Sequence, residues 1–163
     1  MGRWDSYYRT VAEAVAQNSV CLSRQIGAIL VKDKSIISTG YNGPPRGFYH
    51  CNDLEMLDWY RLGKEHVGCC PRRARGYKSG EGLHLCPAGH AERNTLINAA
   101  RNGISTMGTT MYTTFCLPCK DCAIEIINAG VKEIVIVDTE NVYDRLSPFL
   151  FRNSEVIVRG YSK

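Results

Sequence analysis

The fold turns on three consecutive stretches: Gly108-Thr109-Thr110-Met111-Tyr112-Thr113-Thr114, then Pro118-Cys119-Lys120-Asp121-Cys122-Ala123-Ile124-Glu125-Ile126-Ile127-Asn128-Ala129-Gly130, then Val131-Lys132-Glu133-Ile134-Val135-Ile136-Val137-Asp138. The first reads as a strand. Pro118 fits the first turn of a helix, where its missing N–H costs nothing, and Gly130 ends that helix. The third is β-branched and apolar, the strongest strand signal in the chain. Strands separated by a helix pair in parallel.

Upstream, residues 90–102 (HAERNTLINAARN) are good helix formers, with Gly103 as a C-terminal stop. Residues 4–17 carry a helical stripe of Trp4, Tyr7, Tyr8, Val11, Ala14 and Val15, with Asp5 or Ser6 as the N-cap. Ile26 to Val31 and Ser35 to Tyr41 read as antiparallel strands joined by the polar turn Lys32-Asp33-Lys34. Downstream, a short helix over Val142 to Phe151 precedes a last strand, Glu155 to Arg159. The order α-β-β-α-β-α-β-α-β predicts an α/β domain with a mixed sheet of about five strands and helices on both faces.

One region resists this reading. After the punctuated loop Tyr41-Asn42-Gly43-Pro44-Pro45-Arg46-Gly47, residues 48–89 hold His50, Cys51, His66, Cys69, Cys70, His84 and Cys86 but little periodicity, apart from a helical turn near Leu54 to Leu62. Such a segment is uncommon inside a compact domain unless it is functional or held by something. Metal is the expected staple, so residues 42–89 are read as a Cys/His-rich insertion within one domain spanning 1–163.

At 163 residues the chain accommodates one well-cored domain. With 44% apolar and 22% charged residues it has an ordinary soluble composition, without an apolar run of membrane-spanning length or a signal-peptide core after Met1. An intracellular, cytoplasmic chain is expected (host cytoplasm if the source is viral), and there the eight cysteines point to metal ligation or free thiols rather than disulfides. The net charge of +4 mildly favours anionic partners.

The chemistry is concentrated in His90-Ala91-Glu92 and Pro118-Cys119-Lys120-Asp121-Cys122. Cys119 and Cys122, at i and i+3 on a helix's first turn, direct both sulfurs one way, and the helix dipole favours thiolate. With His90 at another helix start they supply three zinc ligands, leaving the fourth position for water, as in a catalytic site. Glu92 lies two residues beyond the histidine, within reach of that water as a proton shuttle. Either motif alone is weak, and Cys119/Cys122 as redox thiols lack a preceding thioredoxin-type context. The pair of motifs, each opening a helix, matches the pattern of zinc-dependent nucleobase deamination.

Beyond those motifs the sequence resembles the deoxycytidylate (dCMP) deaminase family of the cytidine deaminase-like superfamily. The likeness runs through Cys21-Leu22-Ser23-Arg24-Gln25-Ile26-Gly27-Ala28, Gly40-Tyr41-Asn42-Gly43-Pro44-Pro45-Arg46-Gly47, His50-Cys51, Gly68-Cys69, Ser79-Gly80, Leu85-Cys86 and Tyr112-Thr113-Thr114 as well as the catalytic motifs. The resemblance implies a three-layer α/β/α sandwich, hydrolysis of dCMP to dUMP and ammonia for thymidylate synthesis, a hexamer, activation by dCTP with magnesium and inhibition by dTTP. It implies His90, Cys119 and Cys122 as ligands of a catalytic zinc and Glu92 as the shuttle. It also implies a second, structural zinc on Cys21, Cys51, Cys86 and Cys70, with Cys69 or His84 as alternates for the fourth position and His50 a weaker one. Nucleotide or effector contacts are expected at Asn42, Gly43, Arg24, Gln25, Arg46, Thr114 and Tyr143.

Phe115 and Asn94-Thr95-Leu96 stand where the family often has other residues, and Arg93 replaces a smaller one. Arg72-Arg73-Ala74-Arg75 reads first as a solvated loop, with a phosphate contact from a neighbouring subunit as the alternative. A different substrate (free cytidine, guanine, or a base in RNA) and a zinc-stapled nucleic-acid module without catalysis are the competing readings. Nucleic acid is disfavoured because the arginines lack interleaved aromatics. A purely structural zinc has no use for Glu92.

Overall fold

A computed structural model of the chain describes residues 2–78 and 80–161, so Ser79 of the Ser79-Gly80 pair lies outside the described residues. Helix α1 (Arg3–Ala16) leads into the hairpin β1 (Gly27–Lys32) and β2 (Ser35–Tyr41). Its two turn residues, Asp33 and Lys34, both have positive φ, as tight hairpin turns require. The insertion follows, with the short helices α2 (Leu54–Trp59) and α3 (Pro71–Ala74). Then come α4 (Ala91–Arg101), β3 (Thr110–Thr113), β4 (Cys116–Leu117), α5 (Lys120–Asn128), β5 (Glu133–Ile136), β6 (Asp138–Val142), α6 (Leu146–Arg152) and β7 (Ile157–Gly160).

Five strands form one mixed sheet in the order β2-β1-β3-β5-β7. β1 pairs antiparallel with β2 and β3, whereas β5 runs parallel to β3 and β7. Alternation along the strands divides the apolar residues between the faces. Leu30, Met111, Ile134 and Ile136 pack with Ala99 of α4, Ala123 and Ile126 of α5 and Phe151 of α6. Ile29, Val31, Tyr112 and Val135 pack instead with Tyr8 and Ala12 of α1. The result is the three-layer α/β/α sandwich. Close approach is secured by Gly27, where a Cβ would stand 2.2 Å from the Ala12 carbonyl oxygen.

Several local readings are corrected. Asp5 is not an N-cap: α1 starts after Gly2, and buried Asp5 accepts hydrogen bonds from Arg159 (2.7 Å) and the Tyr112 hydroxyl (3.2 Å). Tertiary pairing of a carboxylate outweighs its local capping preference. Pro118 precedes α5, whose N-cap is Cys119, and its carbonyl accepts a hydrogen bond from the Ser147 hydroxyl. The run 131–138 is not one strand. It breaks at Val137, whose N–H donates to the Phe115 carbonyl (2.9 Å), and β6 pairs with β4 in a second, two-stranded sheet.

The insertion closes on itself. Gly43 and Gly89 exchange backbone hydrogen bonds of 3.1 and 2.8 Å, so the segment between them begins and ends at one point. It buries Met56, Leu57, Tyr60, Cys70 and Arg72, and the Tyr60 hydroxyl donates to the Leu85 carbonyl.

Candidate active site

Two helix N-termini converge. His90 is the N-cap of α4 and Cys119 that of α5, with Cys122 in the following turn. The His90 Nδ1 stands 3.4 Å from each sulfur. All three donor atoms lie within 4.8 Å of one another, the only such His/Cys/Asp/Glu group among the described residues. Tetrahedral zinc with bonds of about 2.0–2.3 Å places neighbouring ligand atoms roughly 3.5–3.8 Å apart. The donor set and its spacing therefore fit zinc.

The electrostatics follow from crowding. Cys119 is held down at about 4, chiefly by the hydrogen bond from Cys122 and, against burial, by the one with His90. Cys122 moves up as the donor of that bond and through burial. His90 is raised, mainly by its bond to Cys119. Glu92 is 5% exposed, and burial pushes its carboxyl above the usual range. A carboxyl so placed is suited to carrying a proton.

Behind the site, Arg93 of α4 bonds the Glu125 carboxylate of α5 at 2.9 Å, tying the two ligand-bearing helices together. The backbone N–H of Lys120 donates to Asp144 at 2.7 Å, which anchors the start of α5.

His90 and Glu92 border a cavity also lined by Ser23, Arg24, Asn42, Arg72, Phe115 and Tyr143. Tyr143 lies 6.3 Å from the His90 ring, between centroids, and the Arg24 guanidinium stacks 4.2 Å over Phe115. Asn42 faces this cavity, but its side chain is engaged with the chain before β1: Oδ1 accepts from the Ile26 N–H (2.7 Å) and Nδ2 donates to the Arg24 carbonyl (2.9 Å). It thereby positions Arg24.

Other sequence candidates lie elsewhere. Gln25 donates to the Ser19 carbonyl, and the Thr114 hydroxyl accepts from the Gly27 N–H at 3.0 Å. Gly43 is engaged in the bridge to Gly89, just before His90. Arg46 donates to Asn98 at 2.8 Å and lines a separate cleft with Tyr41, Asn94 and Arg101. Phe115 and Ser23 were not among the expected contacts. Ser23, within the Cys21-to-Ala28 stretch, and Phe115, just before β4, reach the cavity only through tertiary pairing.

Among the insertion cysteines, burial and then the Cys70, Cys21 and Cys86 thiols push Cys51 up to about 11, so these four share one neighbourhood. No three of them reach the 4.8 Å mutual spacing of the His90 group. His84 packs edge-on against Tyr77, with centroids 6.3 Å apart. Cys69 approaches the Cys70 carbonyl at 3.6 Å.

The profile of the family described as "Cytidine and deoxycytidylate deaminase zinc-binding region" matches residues 2–138. The chain is 34% identical to the deoxycytidylate deaminase of Schizosaccharomyces pombe over 158 residues, covering 97% of this chain and 44% of that protein. It is 36% identical to the deoxycytidylate deaminase of Enterobacteria phage T4, covering 85% and 78%. It spans less than half the length of the two yeast relatives it matches. A crystal structure of the cyanophage S-TIM5 dCMP deaminase in complex with dCMP and dUMP superimposes with a TM-score of 0.72 at 27% identity, covering 98% of both chains. With His90, Cys119 and Cys122 gathered at two helix N-termini in a group that could hold a metal ion, the chain belongs to the cytidine and deoxycytidylate deaminase zinc-binding family.

Proposed function

We propose that the protein hydrolyses dCMP to dUMP and ammonia. The observation that carries this is the His90–Cys119–Cys122 group with buried Glu92 on the same cavity wall. Bound there, zinc would supply an activated water as nucleophile at neutral pH. Glu92 takes that water's proton, delivers it to the ring nitrogen beside the amino-bearing carbon, and assists departure of ammonia. Water adds at C4 and the C4–N bond breaks, so oxygen replaces nitrogen without a change of oxidation state. Phe115 and Tyr143 supply flat walls for a pyrimidine ring. The dCMP substrate of the S-TIM5 enzyme supports the choice of nucleotide. Ammonia release from dCMP, but not from cytidine or single-stranded oligonucleotides, tests it. Release from cytidine or oligonucleotide alone would replace it with another substrate class.

The neighbouring Cys21, Cys51, Cys70 and Cys86 support a second, structural zinc. Metal analysis should give two zinc ions per chain and one in Cys51→Ser. One zinc per chain, unchanged by that substitution, refutes the second site.

Family resemblance supports regulation by dCTP with magnesium and by dTTP near Gly40 to Gly47, in a hexamer working inside the cell to supply dUMP for thymidylate synthesis. Exposed Ile97 of α4, Met107 in the loop from α4 to β3, and Ile124 of α5 are consistent with self-association. Among the described residues no helix is long and apolar enough to cross a membrane. A sigmoidal dCMP response that dCTP straightens and dTTP suppresses is expected. A hyperbolic response indifferent to both retires the regulation.

A further inference from the structure

We propose that Arg72 is the residue through which this site recognises a phosphate, and that it makes the enzyme select a nucleotide over a nucleoside. The inference deepens the dCMP reading and rests on it.

Arg72 belongs to a basic run that reads in sequence first as a solvated loop, with a phosphate contact from a neighbouring subunit as the alternative. The structure separates its members. Arg73 and Arg75 are exposed, whereas Arg72 is 8% exposed and lines the cavity that holds His90 and Glu92. Its Nη1 donates to the Glu81 carbonyl, which fixes the guanidinium plane. Its Nε is buried without a hydrogen-bond partner, and no carboxylate pairs with it among the described residues.

An always-charged group in this condition is costly unless an anion joins it. With Nη1 spent on Glu81, the unpartnered edge is the buried one carrying Nε, and a guanidinium edge matches two oxygens of a phosphate. A second cation stands on the same wall. Arg24 is held over Phe115, and the charges of Arg24 and Arg72 both act on Tyr143, whose phenol burial pushes up. A monoanionic or dianionic phosphate would meet two guanidinium groups, from the chain before β1 and from the insertion. The insertion then has a direct role in substrate choice.

The rival role is structural. Arg72 also acts on Cys86, and it could serve chiefly to hold the cysteine neighbourhood together. Arg72→Gln and Arg72→Lys separate the two when kinetics, zinc content and phosphate binding are measured on the full chain. For Arg72→Gln, kcat/KM for dCMP should fall about 100-fold, mostly through KM, and the preference for dCMP over deoxycytidine should fall with it. Zinc per chain should not change. Inorganic phosphate should bind the unsubstituted protein by calorimetry and fail to bind Arg72→Gln, with Arg72→Lys between them because it keeps charge but loses the fork. Loss of zinc, an equal fall on both substrates, or undiminished phosphate binding overturns the proposal. If the unsubstituted protein deaminates neither substrate, the dCMP reading fails, and phosphate binding still decides the role of Arg72.

Discussion

The Nε of Arg93 meets the Glu125 carboxylate at 2.9 Å, joining the two helices whose N-termini present His90 and the cysteine pair. Arg93 thus turns away from the cavity it adjoins in sequence. Both side chains are more than a third exposed, so the pair contributes about 0.5 kcal/mol. Urea denaturation of Arg93→Ala, Glu125→Ala and the double variant should give a coupling of that size, with zinc content unchanged. Zero coupling would show that apolar packing alone aligns α4 and α5.

Glu92→Gln keeps the size of the side chain and removes its ability to accept a proton. Zinc should remain at the unsubstituted level while kcat for dCMP falls about 1,000-fold. A variant that retains both metal and near-normal turnover would remove Glu92 from the mechanism.

Gly40 on β2 lies against α4, where a Cβ would stand 2.4 Å from the Thr95 N–H nitrogen and 2.8 Å from the Ala91 carbonyl oxygen. Both contacts are backbone, so a side chain must push the helix off the sheet. Gly40→Ala should cost about 2–3 kcal/mol in chemical denaturation and lower activity, since Ala91 lies between His90 and Glu92. An unaltered midpoint would mean that α4 shifts freely.

Alkaline stability should depend on Tyr112. Burial, then the Asp5 charge and the hydrogen bond it accepts, push this phenol from 10.0 up to about 12. Its folded value is raised above its unfolded one. The stabilisation is complete below pH 10 and is lost as pH rises toward 12, because the unfolded chain releases the proton first. Melting temperature should fall over that interval, and less steeply in Tyr112→Phe than in the parent. Equal slopes would dissociate Tyr112 from the decline.

Much of the fold was legible because periodicity is a local property. Leu30, Met111 and Ile134 alternate with Ile29, Tyr112 and Val135, and the same alternation separates the two packed faces. The grouping of His90, Cys119 and Cys122 was legible because each motif opens a helix. Asp5 was misread where a distant partner, Arg159, outweighs the local preference, and Pro118 falls one residue before the N-cap of α5.

By itself, the sequence determined the order of the five main-sheet strands and the four helices that flank them, the His90 and Cys119/Cys122 motifs and Glu92 beside them. These depend on residue type at short spacing, where the helix repeat sets direction. Only the tertiary structure decided that His90 meets sulfurs 29 and 32 positions away, and that the strong strand after α5 breaks to form a second sheet. It alone decided which arginine of the basic run is buried beside the cavity. Burial is a property of what the folded chain places around a residue, and neighbours such as Glu81, Arg24 and Tyr143 reach Arg72's surroundings only after the chain has closed.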